Sequence, residues 1–201
     1  MSVEIHPRIS AIVSSYLQPE HLWIVLASLR VQREVTKPWA EVPLEIIVTD
    51  DGNLKENEAV ALHYGCKYIT TNFGCCYSAA EVGVEASTCE WLIFPSHDNY
   101  YVPEYAARLL NSADKNNLDL VFCDLIHDPR YIGKYHMFHT KPKIGRIDKG
   151  CFMVKREIYN KVGGFTGKSP GHRTFSDGIF IEAASKICKW GRVPEPLMFH
   201  G

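Results

Sequence analysis

No segment of this 201-residue chain approaches the roughly 18 continuous apolar residues that a membrane-spanning helix needs. Nor does the stretch from Met1 to Arg8 contain the apolar core of a secretory signal. These absences lead to the expectation of a soluble, cytoplasmic protein with no membrane span. Net charge is almost missing too: 22 Lys and Arg stand against 23 Asp and Glu, so no strong field calls for nucleic acid or an anionic membrane. Seven cysteines (Cys66, Cys75, Cys76, Cys89, Cys123, Cys151 and Cys188) include no Cys-x-x-Cys pair. Several lie in apolar runs, as reduced core thiols do, and the adjacency of Cys75 and Cys76 suits neither a disulfide nor a tetrahedral metal site. There is no internal repeat, low-complexity tract or linker, so residues 1–201 read as one domain, large enough to bury a core without staples.

What is present is an alternation of strand and helix patterns. Ile9 to Ser15 is rich in β-branched residues and ends in hydroxyls, as a strand would. Pro19 suits the first position of a helix, whose apolar face is Leu22, Val25, Leu26 and Leu29 at i, i+3, i+4 and i+7. Further strands are expected at Glu45–Thr49, Lys67–Thr70, Trp91–Phe94, Leu118–Leu125 and Gly150–Lys155. Helices are expected at Glu56–Tyr64, Tyr77–Ala86, Pro103–Lys115 and Arg156–Val162, with a last one opening at Asp177. Phe180, Ala183, Ala184, Ile187 and Cys188 would form the face of that last helix, and Gly191 would close it. The pattern predicts an α/β fold, a Rossmann-like α/β/α sandwich around a mainly parallel central sheet. Irregular stretches at 127–149 and 166–176 are expected to be binding loops.

The most informative stretch is Trp91 to Pro103, where four apolar residues run into Ser96, His97, Asp98 and Asn99. In an open α/β sheet the ligand crevice lies beyond the carboxyl ends of the strands, so a polar cluster at a strand exit is a site candidate.

Several segments together resemble the family-two glycosyltransferases, whose catalytic domain has the GT-A fold. Ser10-Ala-Ile-Val-Ser-Ser-Tyr16 resembles the family's opening strand, and Leu26-Ala-Ser-Leu-Arg-Val-Gln32 its first helix. Glu45-Ile-Ile-Val-Thr-Asp-Asp-Gly-Asn53 is close to Glu-Ile-Ile-Val-Val-Asp-Asp-Gly-Ser, and Gly163-Gly-Phe165 matches the family's Gly-Gly-Phe. Ser96-His-Asp-Asn99 is similar to the metal-binding Asp-x-Asp segment, most of all to that of spore-coat-type members, and Pro194-Glu-Pro196 to the last strand. The order of six such motifs makes the resemblance specific.

It implies transfer of a sugar from a nucleotide-diphosphate donor, a UDP-sugar by preference, to a hydroxyl of a saccharide or other acceptor, assisted by Mn2+ or Mg2+. Asp51 lies where the family's second carboxylate accepts from the uracil imide, and Ser14 and Tyr16 lie where the base is held; a strand-ending turn is the plainer reading of Asp50 and Asp51. Asp98 corresponds to the cation-binding carboxylate, and one is chemically sufficient because substrate phosphates complete the shell. Ser96 and His97 stand on the ribose and donor side; His97 faces solvent, bonds the ribose or ligates Mn2+, in that order of preference. His200 is either a second metal ligand, giving an oxygen and nitrogen set that suits Mn2+ better than Mg2+, or a histidine on a frayed end. Asp177 is the implied general base of an inverting reaction, or simply a helix cap. Ser96 and His97 depart from the family's acidic residues, and Ala80-Glu81 from its Arg-Asn, removing a positive contact that Lys149, Arg146 or Arg173 could replace. These departures keep an alternative in view, a nucleotide-sugar binding protein impaired in catalysis.

Overall fold

The computed structural model describes residues 6–129, 133–165 and 172–201, without the side chains of 172–175. The first strand is β1 (Ile9–Ser15), buried at every position. Successive strand residues point to opposite faces, so burial throughout means that both faces of the sheet are covered. Helix α1 (Pro19–Arg30) begins on its proline and buries Leu22, Val25, Leu26 and Leu29, the four positions the 3.6-residue period selects. There follow β2 (Leu44–Asp50), α2 (Lys55–His63), β3 (Lys67–Thr70), α3 (Cys76–Ala86) and β4 (Trp91–Ile93). Helix α3 lies tightly across β1, because a side chain at Gly83 would run into Ile12 and Thr49.

The second half contains β5 (Asn99–Tyr101), α4 (Tyr105–Asn116), β6 (Leu120–His127), β7 (His136–Phe138), a 3-10 turn (Lys149–Cys151) and β8 (Phe152–Lys155). It ends with α5 (Arg156–Val162), α6 (His172–Ala184) and β9 (Trp190–His200). The sheet order is β3-β2-β1-β4-β8-β6-β9-β5, with β7 beside β6. Strands β1, β2, β3, β4, β6 and β9 share one direction, and β5, β7 and β8 oppose it, so the sheet is mainly parallel as the alternation predicts. β1 has β2 on one side and β4 on the other, which makes its carboxyl end the topological switch point.

The chain departs from sequence expectation mostly after Asn99. Strand β5 was not expected; three residues with no alternation find an antiparallel partner only in β9. Helix α6 starts at His172, so Asp177 lies within it rather than opening it. The helix also ends at Ala184, leaving Ile187 44% exposed beyond it, and Gly191 belongs to β9, where a side chain would strike Leu118. Within 127–149, part of the supposed loop is β7, and Ile144 docks on α6 through its N–H to Glu182 Oε1 at 2.9 Å. Much of the 166–176 stretch, with the side chains of His172 and Arg173, lies outside the described residues.

Candidate functional site

At the carboxyl ends of β1, β2 and β4 a cleft of ≈ 460 Å³ is lined by Ser14, Ser15, Tyr16, Asp51, Gly74, Cys75, Cys76, Ser96, His97 and Asp98. Sheet pairing brings its walls together. Ser14 bridges to Ser96 in parallel register, and the His97 N–H donates to Ser14 O at 3.1 Å. Five residues expected at a donor site, Ser14, Tyr16, Asp51, Ser96 and His97, therefore line one cleft with Asp98. Tyr16 is 52% exposed along it.

The two aspartates ending β2 divide the local work. Asp50 is buried and accepts from the Leu54 N–H (2.8 Å), Asn57 Nδ2 (3.0 Å) and the Tyr68 hydroxyl (2.7 Å), holding the turn into α2. The Asp51 carboxylate accepts from the Thr71 hydroxyl (2.8 Å) and the Phe73 N–H (2.7 Å) on one oxygen. The other takes the Cys75 N–H at 3.0 Å. A carboxylate has about four acceptor positions, so one remains on the oxygen that meets Cys75.

At the other end, Asp98 Oδ2 lies 3.6 Å from His200 Nε2, while Asp98 Oδ1 is buried without a hydrogen-bond partner. β5–β9 pairing makes this approach, with Asn99 opposite His200, so the histidine is fixed in the sheet and not frayed. His200 Nδ1 meets His127 Nδ1 at 3.3 Å. Among the described residues no three His, Cys, Asp or Glu side chains enclose a metal position by themselves. The pair does fit a divalent ion that shares its shell with phosphate: one oxygen of the carboxylate is buried without a partner and an imidazole edge stands beside the other.

His97 does not simply face solvent. Its ring stacks on His21 with centroids 6.2 Å apart, and burial, with Lys149 and His21 nearby, holds its pKa below the usual histidine value against the pull of Asp98. At pH 7 it is a neutral donor and acceptor.

Asp177 is pushed up to about 6, chiefly by burial and then by the Asp148 charge, against hydrogen bonds from the Gly178 N–H and the Tyr77 hydroxyl. The anion-stabilising helix N-terminus expected for it is absent, since the residue lies inside α6. Lys149, one of the three cations expected to replace the missing arginine, is buried and donates from Nζ to Ser14 Oγ at 3.0 Å. The same ammonium lies 5.8 Å from the Tyr77 ring centre. Arg146 is engaged elsewhere, over the Phe138 ring and on His139 O. Glu81 accepts from the Phe165 N–H (2.6 Å) and the Tyr159 hydroxyl (2.9 Å), holding the Gly163-Gly164-Phe165 turn, in which Gly164 has φ +70° and no room for a side chain.

Sequence reasoning missed Tyr77, Asp148 and His21. Tyr77 reads as one more apolar helix position and Asp148 as a turn residue, and nothing local marks either as a neighbour of Asp177. His21 reads as a surface position of α1, and only the fold brings it to His97.

Residues 10–174 match the profile of Glycosyl transferase family 2. An uncharacterized glycosyltransferase of Rickettsia prowazekii is 29% identical over 141 residues, 61% of this chain and 44% of the relative, and one of Rickettsia typhi matches equally well. The chain thus spans less than half the length of these relatives. Among solved structures, S. aureus TarS 1-349 in complex with UDP is 14% identical with a TM-score of 0.75, over 96% of this chain and 60% of that one. The mannosyltransferase PcManGT from Pyrobaculum calidifontis, in complex with GDP-Man and Mn2+, is 15% identical with a TM-score of 0.72, over 98% and 57%. At such identity these likenesses establish the fold, and the profile match establishes the kinship: the chain belongs to glycosyl transferase family 2.

Proposed function

We propose that the chain transfers a sugar from a nucleotide-diphosphate donor, a UDP-sugar by preference, to an acceptor hydroxyl with inversion. The observation that carries this is Asp98, whose Oδ1 is buried without a partner at the end of the cleft while Oδ2 approaches His200. A buried unsatisfied carboxylate oxygen costs free energy until a ligand arrives, which marks this end of the cleft for a cation and the diphosphate it accompanies. The solved relatives with UDP and with GDP-Man plus Mn2+ support donors of this class.

The base lies against Tyr16, and its ring N–H donates to the open acceptor position of Asp51. Ser14, Ser96 and neutral His97 serve the ribose and phosphates, and Lys149 adds positive charge beneath Ser14. A divalent cation at Asp98 and His200, Mn2+ better than Mg2+ for an oxygen and nitrogen pair, supplies positive charge beside the diphosphate. Asp177 accepts the proton of the acceptor hydroxyl as its oxygen bonds to the anomeric carbon and the bond to the nucleotide diphosphate breaks. A pKa of about 6 suits that task, leaving the carboxylate ionised at pH 7 yet basic enough to take the proton.

The test is turnover of a panel of UDP- and GDP-sugars with Mn2+, alongside binding of UDP and GDP by calorimetry. Transfer or slow hydrolysis of one donor, abolished by metal chelation, is expected. UDP binding without any turnover would favour the alternative, a nucleotide-sugar binding protein, and no binding of either diphosphate would refute both.

A further inference from the structure

The end of the cleft is backed by a row of three histidines, of which the proposed chemistry uses only His200. Strand pairing places His136 opposite His127, His127 opposite His200, and His200 opposite Asn99, so the row crosses β7, β6, β9 and β5 at one level. Within it the His127 and His200 rings meet edge to face, at 75° with centroids 5.3 Å apart, and their Nδ1 atoms are 3.3 Å from each other. A hydrogen bond between two ring nitrogens needs a proton on one and a lone pair on the other. The far nitrogen of His200, Nε2, is the one that faces Asp98.

We infer that His127 is a positioning residue for the cation site, the acceptor that holds His200 in the tautomer with Nδ1 protonated and Nε2 bare. This rests on the reading of His200 as a cation ligand. A neutral imidazole can offer only one lone pair, and the nitrogen that carries the proton is set by what the other ring nitrogen meets. If His127 Nδ1 accepts from His200 Nδ1, the lone pair of His200 is left on Nε2, beside Asp98. Without an acceptor at position 127, Nδ1–H of His200 loses its partner in a half-buried setting, and protonation of Nε2 toward Asp98 becomes the better arrangement. That closes the nitrogen to a metal ion. The device also explains why the second ligand sits at the end of β9: there β6 supplies its partner and β5 supplies Asp98 within the same sheet.

The experiment is titration of Mn2+ into the protein saturated with UDP, read by electron paramagnetic resonance of free Mn2+, with thermal unfolding of the metal-free proteins as a folding control. His127→Phe keeps the ring but removes the acceptor, and should weaken Mn2+ by about 10- to 100-fold. His127→Asn places an amide oxygen near the former Nδ1, and should stay within about threefold of the parent protein. His200→Ala should lose at least as much as His127→Phe, and the double variant no more than His200→Ala alone, because the two act through one nitrogen. In the Mg2+ and UDP complex, nitrogen-15 shifts should show His200 protonated at Nδ1. Unchanged Mn2+ affinity in His127→Phe, with His200→Ala weakened, would overturn the inference and leave the cation reading standing. So would His127→Asn as weak as His127→Phe, since the ring and not its acceptor would then matter. Unchanged affinity in His200→Ala would instead refute the cation role of His200, and the inference with it.

Discussion

Asp51 and Asp98 line one cleft with the same functional group, and the protein treats them in opposite ways. Three donors from the segment Thr71–Cys75 hold both oxygens of Asp51, whereas Asp98 has one oxygen buried with no partner and the other 3.6 Å from an imidazole. The first carboxylate is satisfied by the fold and can be useful to a ligand only through what is left over. The second is left unsatisfied by the fold, and under the proposed function a cation would satisfy it. Preorganisation therefore belongs to the Asp51 end, where the nucleotide is proposed to bind, and stored cost to the Asp98 end, where the cation is proposed. Asp177 falls with Asp98, since burial and the neighbouring Asp148 oppose its charge.

The largest effect should come from Asp177, where stored cost and the proposed role as base coincide. Asp177→Asn is expected to lower transfer by about 10²- to 10⁴-fold with UDP affinity near normal, measured by turnover and calorimetry. Substantial residual transfer would point to another base. In the parent protein, transfer should fall about tenfold per pH unit below about 6, as the base takes up its proton. Stability should move the other way. Because the folded-state pKa lies above the ordinary aspartate value of 3.8, the folded state binds the extra proton between about 4 and 6, so this group destabilises the fold at neutral pH and the cost is relieved on acidification through that window. Asp177→Asn should accordingly raise the unfolding free energy at pH 7, by on the order of 3 kcal/mol, and leave it little changed near pH 4.

A crossed pair of substitutions tests the comparison itself. Asp98→Ala should abolish the Mn2+ dependence of UDP binding, a loss of about 10- to 100-fold in metal affinity, while thermal stability holds or improves. Asp51→Ala should destabilise by on the order of 2–3 kcal/mol, because two backbone N–H groups and a hydroxyl lose their acceptor. Equal stability losses in the two variants would break the contrast.

The same contrast explains what could be read in the sequence. The half up to Asp98 is built from local βα units in which period, proline position and strand-end polar residues agree, so β1, α1, β3 and the residues that line the cleft were legible. Beyond it the structure depends on pairing between distant segments. Strand β5 exists only because β9 returns beside it, and His200 reaches Asp98 by that same pairing. The motif order pointed to Asp98, His200 and Asp177, but not to the neighbours that surround them. Asp177 looked like a helix start because Asp is a good cap and the apolar face begins at Phe180, yet the helix runs back to His172. What perturbs it, Tyr77 and Asp148, comes from two other elements and leaves no mark on the local sequence.

Lys149 is where the two kinds of residue meet, and it gives the smallest effect. Its ammonium is buried, bonded to Ser14 Oγ and set over Tyr77, and it forms no ion pair among the described residues. If it belongs with Asp51, its work is to hold Ser14, and Lys149→Met should weaken uridine and UDP alike. If it belongs with Asp98, it is a buried cation that no carboxylate among the described residues meets at ion-pair distance, the Asp177 charge acting on it from farther off, and the donor's diphosphate would supply a closer anion. The second is expected: UDP affinity should fall about tenfold, or about 1.4 kcal/mol, with uridine affinity unchanged. Parallel losses for both ligands would move Lys149 to the preorganised side and leave the cation end, with Asp98 and His200, as the part of the cleft that waits for the phosphates.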